Sequence, residues 1–284
     1  MTIAINGFGR IGRAVFRALN GEGVVKINDL ADKKTGEFLL NHDSVYGRFD
    51  YDLSAIEFSR NSEPDLRADV VIEATGRFAN LADARRHDAK LVVITAPTKD
   101  ETPHYVYGVN CDAYKGERVI SGASCTTVAA VNILKNFSNL TSAYLTTFHS
   151  YTSTQNLVDN AHQDLRRARA AGLNLIPTTT GAARAVEKIL PQLKGKISAS
   201  AVRVPLATVS LLEIVAQAEG INKENLEINN EPLVSSDFVG DPRAAIVESV
   251  EERFGLIKVL AWYDNEFGYA SQLIKLVKKI CEKY

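Results

Sequence analysis

At 284 residues, 45% of them hydrophobic, the chain can bury a large core and is long enough for about two domains. A formal net charge of −1 and a pI near 6.5 give no electrostatic case for nucleic acid or an anionic membrane surface, and no apolar run approaches the ~20 residues of a membrane span. The first residues read as a strand-like segment, so no signal peptide is expected. Cys111, Cys125 and Cys281 are too few and too scattered for a disulfide framework or a CxxC metal site, so a soluble cytoplasmic protein with reduced thiols and no metal is expected.

Residues 2–6 read as a strand, followed at once by Gly7-Phe8-Gly9-Arg10-Ile11-Gly12 and an amphipathic segment over 13–19. Strand, GxGxxG and helix in that order point to a dinucleotide site, because the glycines allow a tight turn, close backbone approach to a pyrophosphate and close helix–strand packing. Residues 24–28 read as the second strand. Asp29 closes it, in the region of the acid that binds a ribose 2′-hydroxyl, although Asp is equally a favoured cap for the next helix. Residues 39–52, with His42, Asp43 and Tyr46-Gly47-Arg48, read as a surface loop. Buried-strand patterns return at 69–73 and 91–95, with a helix expected over 78–89. Each strand ends in a small-residue turn, 74–76 and 96–98. β-Branched runs alternating with helices indicate a parallel sheet, and ligands of such sheets bind beyond the carboxyl ends of the strands, so these turns are expected to line the cofactor crevice. His87 and His104 have no partner pattern and read as surface residues.

A short strand over 117–120 leads into Ser121-Gly122-Ala123-Ser124-Cys125-Thr126-Thr127, and an apolar stretch over 128–137 follows at helix-like spacing. The Ser/Cys/Thr run suits a helix N-terminus, where amides and the helix dipole favour negative charge, so the Cys125 thiol is expected to ionise more readily than a free one. The same pattern fits a small buried cysteine beside ordinary capping residues, and the stretch alone leaves both readings open. Residues 143–149 read as a strand ending in His149. The long, Arg-rich stretch 150–177 carries Arg166, Arg167 and Arg169, and an ordered loop of that length is more often functional than not. Thr178-Thr179-Thr180 precede a helix over 181–190, a junction that suits either an anion or a plain cap. Strand patterns at 198–204, 208–217, 244–250 and 256–262 fit a mainly antiparallel sheet. An amphipathic helix over 266–282 ends the chain.

The glycine turn with Asp29, the Ser-Cys-Thr-Thr turn and the strand-terminal His149 together resemble the phosphorylating glyceraldehyde-3-phosphate dehydrogenase family. The resemblance runs nearly end to end. It takes in Thr146-Thr147-Phe148-His149-Ser150-Tyr151-Thr152, Asp164-Leu165-Arg166-Arg167-Ala168-Arg169, Ile176-Pro177-Thr178-Thr179-Thr180-Gly181 and Trp262-Tyr263-Asp264-Asn265-Glu266. It implies an α/β plus α+β fold, with a Rossmann NAD(P)-binding domain over 1–124 and 265–284 and a catalytic domain over 125–264. In that family Cys125 would attack the aldehyde carbon, and His149 would take the proton from the thiol and then from the hemiacetal hydroxyl. Hydride transfer to the nicotinamide would leave a thioester, which inorganic phosphate would cleave to an acyl phosphate.

Arg203, Thr152 and Thr126 match groups around the substrate, with Arg203 and Thr152 at its phosphate. Ser124, Thr180, Gly181 and Arg167 match the pocket for the attacking phosphate. Gly7, Gly9, Arg10, Ile11, Gly12, Asp29, Thr75, Thr95, Asn265 and Tyr269 would bind the cofactor, with Asn265 orienting the carboxamide. Glyceraldehyde 3-phosphate and inorganic phosphate are the implied substrates, and a homotetramer the implied assembly.

Three departures from the family pattern stand out. The chain is trimmed around 50–69 and 220–232; Thr154 and Val128 replace the usual Asp and Asn; and Asn160-Ala161 replaces a Leu-Pro pair. The last leads us to expect NAD preference with measurable NADP activity, a mobile Asp29 swinging outward to make room for the extra phosphate. Erythrose 4-phosphate is the alternative aldehyde. A non-catalytic nucleotide- or RNA-binding relative is the alternative class, and the presence of both Cys125 and His149 speaks against it.

Overall fold

Four consecutive buried residues, Ile3–Asn6 (β1), form the centre of a parallel sheet. In the computed structural model, which describes residues 1–282, that sheet belongs to the first of two units, Met1–Ser124 together with the stretch from Ala270; the second unit is Cys125–Tyr269. The sequence reading returned the chain to the first domain at 265, whereas this division falls later, inside the last helix.

In the first unit, β1 leads through α1 (Arg10–Leu19) to β2 (Val24–Asn28), and α2 (Lys33–Asn41) follows. A small ribbon of β3 (His42–Asp43) and β4 (Gly47–Arg48) precedes β5 (Glu57–Ser59), β6 (Arg67–Glu73), the short α3 (Leu81–Ala84), β7 (Asp88–Ile94) and β8 (Val119–Ser121). The sheet order is β5-β2-β1-β6-β7-β8, and every pairing is parallel. This is the doubly wound order in which the chain reverses direction of travel between β1 and β6, and the crevice at the carboxyl ends of those two strands is the ligand position. α1 buries Ala14, Val15, Phe16 and Leu19, and Asn20 stops it in the left-handed region at φ 51°. α2 is capped by Asp32, whose side chain accepts from the Thr35 amide at 2.7 Å, so Asp29 is not the cap.

Three expectations fail here. The helix expected over 78–89 is only Leu81–Ala84, because Asp88 and Ala89 pair in register with Arg67 and Ala68 and strand pairing claims them. His87 and His104 are not surface residues: they are 2% and 4% exposed. His87 Nδ1 accepts from the Leu66 amide and its Nε2 faces Glu73, while His104 Nε2 accepts from the Thr98 amide. Asp43, expected in a surface loop, is also buried and pairs with Arg10 at 2.5 Å.

The second unit opens with α4 (Cys125–Leu134), buried nearly all round, followed by β9 (Phe137–Ser138) and β10 (Ser142–Ser150). After a long irregular segment come β11 (Ile176–Thr178), α5 (Ala182–Ile189), β12 (Ile197–Val204), β13 (Ser210–Gln217) and β14 (Gly220–Ile221). The unit continues through β15 (Ile246–Arg253) and β16 (Leu256–Tyr263) into α6 (Phe267–Cys281). The main sheet is ordered β11-β12-β10-β13-β16-β15, antiparallel except for the β10–β12 pair. Strict alternation along β13 and β16 buries Leu212, Ile214, Val259 and Ala261 on one face, and α4 packs on these strands. The Arg-rich segment between β10 and β11 folds back on itself, with Asn160 N donating to Ala168 O, Ala171 N to Asn156 O, and Arg169 pairing with Asp159 at 2.8 Å.

Among the described residues, no helix is long and apolar enough to cross a membrane, and no group of His, Cys, Asp and Glu is arranged to hold a metal ion.

Candidate active site

The glycine turn of the first unit is built from steric necessity. Gly7 sits at φ +90°, and a Cβ there would lie 2.8 Å from the backbone of Ala74 and Thr75; at Gly12 it would lie 2.0 Å from the Gly7 carbonyl. At Gly9 the opposite holds: nothing lies within 4 Å of a built Cβ, and Gly9 heads α1 with no side-chain cap. Open space at a helix start with no side-chain cap suits a pyrophosphate, so these residues fit a dinucleotide. Asp29 lies beside the turn, accepting from the Phe8 amide at 2.6 Å and the Ala31 amide at 2.8 Å. That double tether corrects the expectation of a mobile Asp29. Arg10 is turned to Asp43 and lies over the Tyr46 ring.

Thr75 and Thr95 are tied to Glu73, the last residue of β6: Thr75 N and Oγ1 bond its carboxylate, and Thr95 Oγ1 donates to its carbonyl at 3.1 Å. Glu73 also receives Asn6 Nδ2 at 2.5 Å, and Asn6 receives Asn28 Nδ2 at 2.9 Å. This buried chain beneath the strand ends was missed by sequence reasoning, although the polar residues at three successive buried strand ends were a visible signal.

In the second unit Cys125 opens α4, with its Sγ 3.4 Å from His149 Nε2. The parallel register of β10 and β12 sets His149 directly beside Arg203. Arg203 Nη1 lies 2.6 Å from His149 Nδ1 and 3.1 Å from the Ser150 carbonyl, which is itself 2.8 Å from Nδ1. Burial, and secondarily the Arg203 charge, push His149 down to about 4, so its imidazole is neutral near pH 7. Burial also pushes the Cys125 thiol up from its ordinary value; the Thr126 amide and hydroxyl, and the Arg203 charge, only partly oppose it. This corrects the expectation of a readily ionised thiol: helix-start amides are present, and desolvation outweighs them. The resting pair is therefore a thiol facing a neutral base.

Behind the pair, the buried Tyr263 hydroxyl bonds Thr126 Oγ1 at 2.9 Å and Thr147 Oγ1 at 2.7 Å, with its ring edge-on to His149. Sequence reasoning named Thr126 but not Tyr263 or Thr147, because an aromatic at a strand end reads as core. Asn265 Oδ1 receives Ser150 Oγ and Ser210 Oγ at 2.9 and 3.0 Å, which leaves its amide nitrogen to donate.

Arg167 is held by Thr178 Oγ1, at 3.0 Å from Nε and 2.6 Å from Nη2, and is near enough to Arg203 for the two charges to act on each other. Thr180 Oγ1 accepts from the Ala182 amide, and Gly181 caps α5 with open space beside it. Thr152 Oγ1 bonds Thr154 Oγ1 at 2.9 Å, so the residue standing in place of the usual Asp is in contact with it. Tyr269 is buried in α6, and Ser124 is the last residue of the first unit, next to Cys125 in the chain. Cys125, Thr126, His149 and Arg203 are thus brought together, whereas Thr152 and Thr180 make their hydrogen bonds to near neighbours in the chain.

Two family descriptions match this chain: glyceraldehyde 3-phosphate dehydrogenase, NAD binding domain, over residues 1–81, and its C-terminal domain over residues 124–225. The glyceraldehyde-3-phosphate dehydrogenase of Geobacillus stearothermophilus is 40% identical, the alignment covering 99% of this chain and 98% of that protein. The chain belongs to the glyceraldehyde-3-phosphate dehydrogenase family. Glyceraldehyde-3-phosphate dehydrogenase 1 of Streptomyces avermitilis is also 40% identical, over 96% of each chain, and a chloroplastic form from Arabidopsis thaliana matches at 40% over all of this chain and 84% of its own length. The Geobacillus alignment runs over 329 positions, more than this family member has residues, so its shortening is internal.

Proposed function

We propose that the protein catalyses the phosphate-dependent oxidation of glyceraldehyde 3-phosphate to 1,3-bisphosphoglycerate, with NAD as the hydride acceptor, as a cytoplasmic homotetramer of glycolysis and gluconeogenesis. The observation that carries this is Cys125 Sγ at 3.4 Å from His149 Nε2, with Arg203 on the other side of the imidazole. A nucleophile and a base within reach, beside a cation able to grip a phosphate oxygen pair, are the minimum for acyl transfer on a phosphorylated aldehyde.

Cys125 attacks the aldehyde carbon while His149 Nε2 takes the thiol proton; a positioned base of this kind contributes ~10²–10⁴-fold. The resulting imidazolium returns that proton to the alkoxide, giving a thiohemiacetal on Cys125. His149 then removes the hydroxyl proton, and NAD, when bound along the Gly7–Gly12 turn and Asp29, supplies the acceptor for the hydride. The Cys125 thioester is cleaved by inorganic phosphate held by Arg167, Ser124, Thr180 and Gly181, releasing the acyl phosphate and restoring the thiol. Asn265, with its oxygen occupied by two serine hydroxyls, offers its N–H to the nicotinamide carboxamide.

We assign dinucleotide binding to 1–124 with the terminal helix, and catalysis to the intervening domain. The experiment is a steady-state comparison of glyceraldehyde 3-phosphate and erythrose 4-phosphate, with and without inorganic phosphate, in wild type and Cys125→Ser. Turnover that needs phosphate, prefers the three-carbon aldehyde and disappears in Cys125→Ser with NAD binding intact is expected. Near-normal turnover in that variant ends the mechanism.

A further inference from the structure

Asn265 is held on one side of its amide only. Its Oδ1 receives the Ser150 hydroxyl at 2.9 Å and the Ser210 hydroxyl at 3.0 Å, which uses both lone pairs of the oxygen. Ser150 and Ser210 are 0% and 1% exposed, and Asn265 is 5% exposed. Proton accounting rejects the reverse orientation of the amide. Asn265 is the sole hydrogen-bond partner of Ser150 Oγ among the described residues, so with Nδ2 turned inward the serine proton would be buried without an acceptor. Ser210 Oγ already accepts the Ser150 amide at 3.2 Å, and its own proton goes to Asn265. The outward atom is therefore Nδ2, and no hydrogen bond among the described residues engages it.

We propose that Ser150 and Ser210 are positioning residues that act on the cofactor through Asn265: by saturating its oxygen they make it a donor only, and so decide which ring substituent it accepts. This rests on Asn265 facing the nicotinamide carboxamide, as in the proposed function. A donor-only amide binds the carbonyl oxygen of a 3-carboxamide and has nothing to offer the NH2 beside it. The carboxamide lies off the symmetry axis of the ring. Gripping one of its atoms therefore selects one of the two rotations about the glycosidic bond, and with it the face of C4 presented for hydride transfer.

The register of three neighbouring strands builds this grip. Ser150 ends β10, and Ser210 opens β13 opposite Tyr263, the last residue of β16; Asn265 lies two residues beyond. Both hydroxyls thus sit on ends of one sheet, where packing fixes their positions better than a loop does. An asparagine χ2 is a broad, roughly two-fold torsion, so without these two donors the amide would turn either nitrogen or oxygen outward. Removing the hydroxyls should cost ring alignment. It should leave affinity nearly untouched, because the adenosine half of the dinucleotide meets neither serine.

The test is the transferred NOE of bound cofactor, which reads ring rotation without turnover: one rotation brings nicotinamide H2 near ribose H1′, the other brings H6. The probes are NAD and two analogues. The 3-acetylpyridine form keeps a carbonyl and lacks the NH2; the 3-aminopyridine form has the NH2 and no carbonyl. On wild type, NAD and the acetylpyridine form should show one NOE about tenfold stronger than the other, and the aminopyridine form should show both. Ser150→Ala/Ser210→Ala should show both for NAD, with Kd changed less than about threefold, whereas Ser210→Thr, which keeps a hydroxyl, should show one. The wild-type series with analogues decides the matter even if the double variant does not fold. A single rotation of the aminopyridine form, or of NAD on the folded double variant, overturns the proposal. Both NOEs for NAD on wild type overturn it together with the assignment of Asn265. Phosphate-dependent turnover of glyceraldehyde 3-phosphate is scored separately; its absence fells the reaction while a fixed ring still upholds the serines.

Discussion

Asp29 is tied to Phe8: its Oδ2 accepts the Phe8 amide proton at 2.6 Å, joining the end of β2 to the turn after β1. With Oδ1 held by the Ala31 amide, the carboxylate is tethered at the place proposed for the adenosine ribose rather than free to swing outward. A 2′-phosphate arriving there meets a stationary like charge. NAD is therefore expected to be preferred, with NADP turnover measurable and weak. Asp29→Ala should narrow the ratio of kcat/KM values about tenfold, near 1.4 kcal/mol. A wild type that prefers NADP would show that Asn160-Ala161, not Asp29, sets the choice.

Acid should destabilise the protein through His149. Its folded value of about 4 lies below the unfolded value of about 6.5, so the unfolded chain takes up the proton first as pH falls. The stability this group contributes is full above about pH 6.5 and is lost on the way down to about 4, by roughly 3 kcal/mol at most. Denaturant unfolding near pH 7 and near pH 4.5 should show wild type losing about 2 kcal/mol more than His149→Asn over that interval. Equal losses in the two proteins would mean that His149 is not held neutral by burial.

The two arginines should separate in kinetics. Arg203, against His149, should chiefly serve the phosphorylated aldehyde, whereas Arg167, braced by Thr178, should chiefly serve inorganic phosphate. Arg203→Leu should raise KM for the aldehyde and Arg167→Leu KM for phosphate, each losing about 1.5–3 kcal/mol of charge-assisted bonding. Equal effects on both ligands from either change would show that the pockets are assigned wrongly.

Tyr263→Phe tests the support beneath the nucleophile. Its hydroxyl joins Thr126 to Thr147, and removing it leaves two threonine hydroxyls without that partner beside Cys125 and His149. A stability loss of about 1–3 kcal/mol is expected by denaturant titration. The acylation burst should slow more than NAD binding weakens, because the tyrosine holds the residue after the nucleophile. An unchanged burst would reduce Tyr263 to a packing residue.

Local chemistry made Gly7, Gly9, Gly12, Asp29, Cys125 and His149 legible in the sequence. A glycine turn, an acid at a strand end and a Ser-Cys-Thr-Thr run each express a requirement met within a few residues of chain. The parallel and the mainly antiparallel sheets were legible for a similar reason, since β-branched runs and alternation follow from which faces are covered. Tertiary structure alone decided what depends on neighbours distant in sequence. His87 and His104 are interior because a carboxylate and a backbone amide, respectively, meet their rings there. The helix expected over 78–89 gave way to the register of β6 with β7. The Cys125 thiol is raised rather than lowered because desolvation, a property of everything packed around it, exceeds what its own helix start supplies. Arg203 touches His149 only because two strands far apart in the chain pair in parallel, residue against residue, and no local pattern encodes that register.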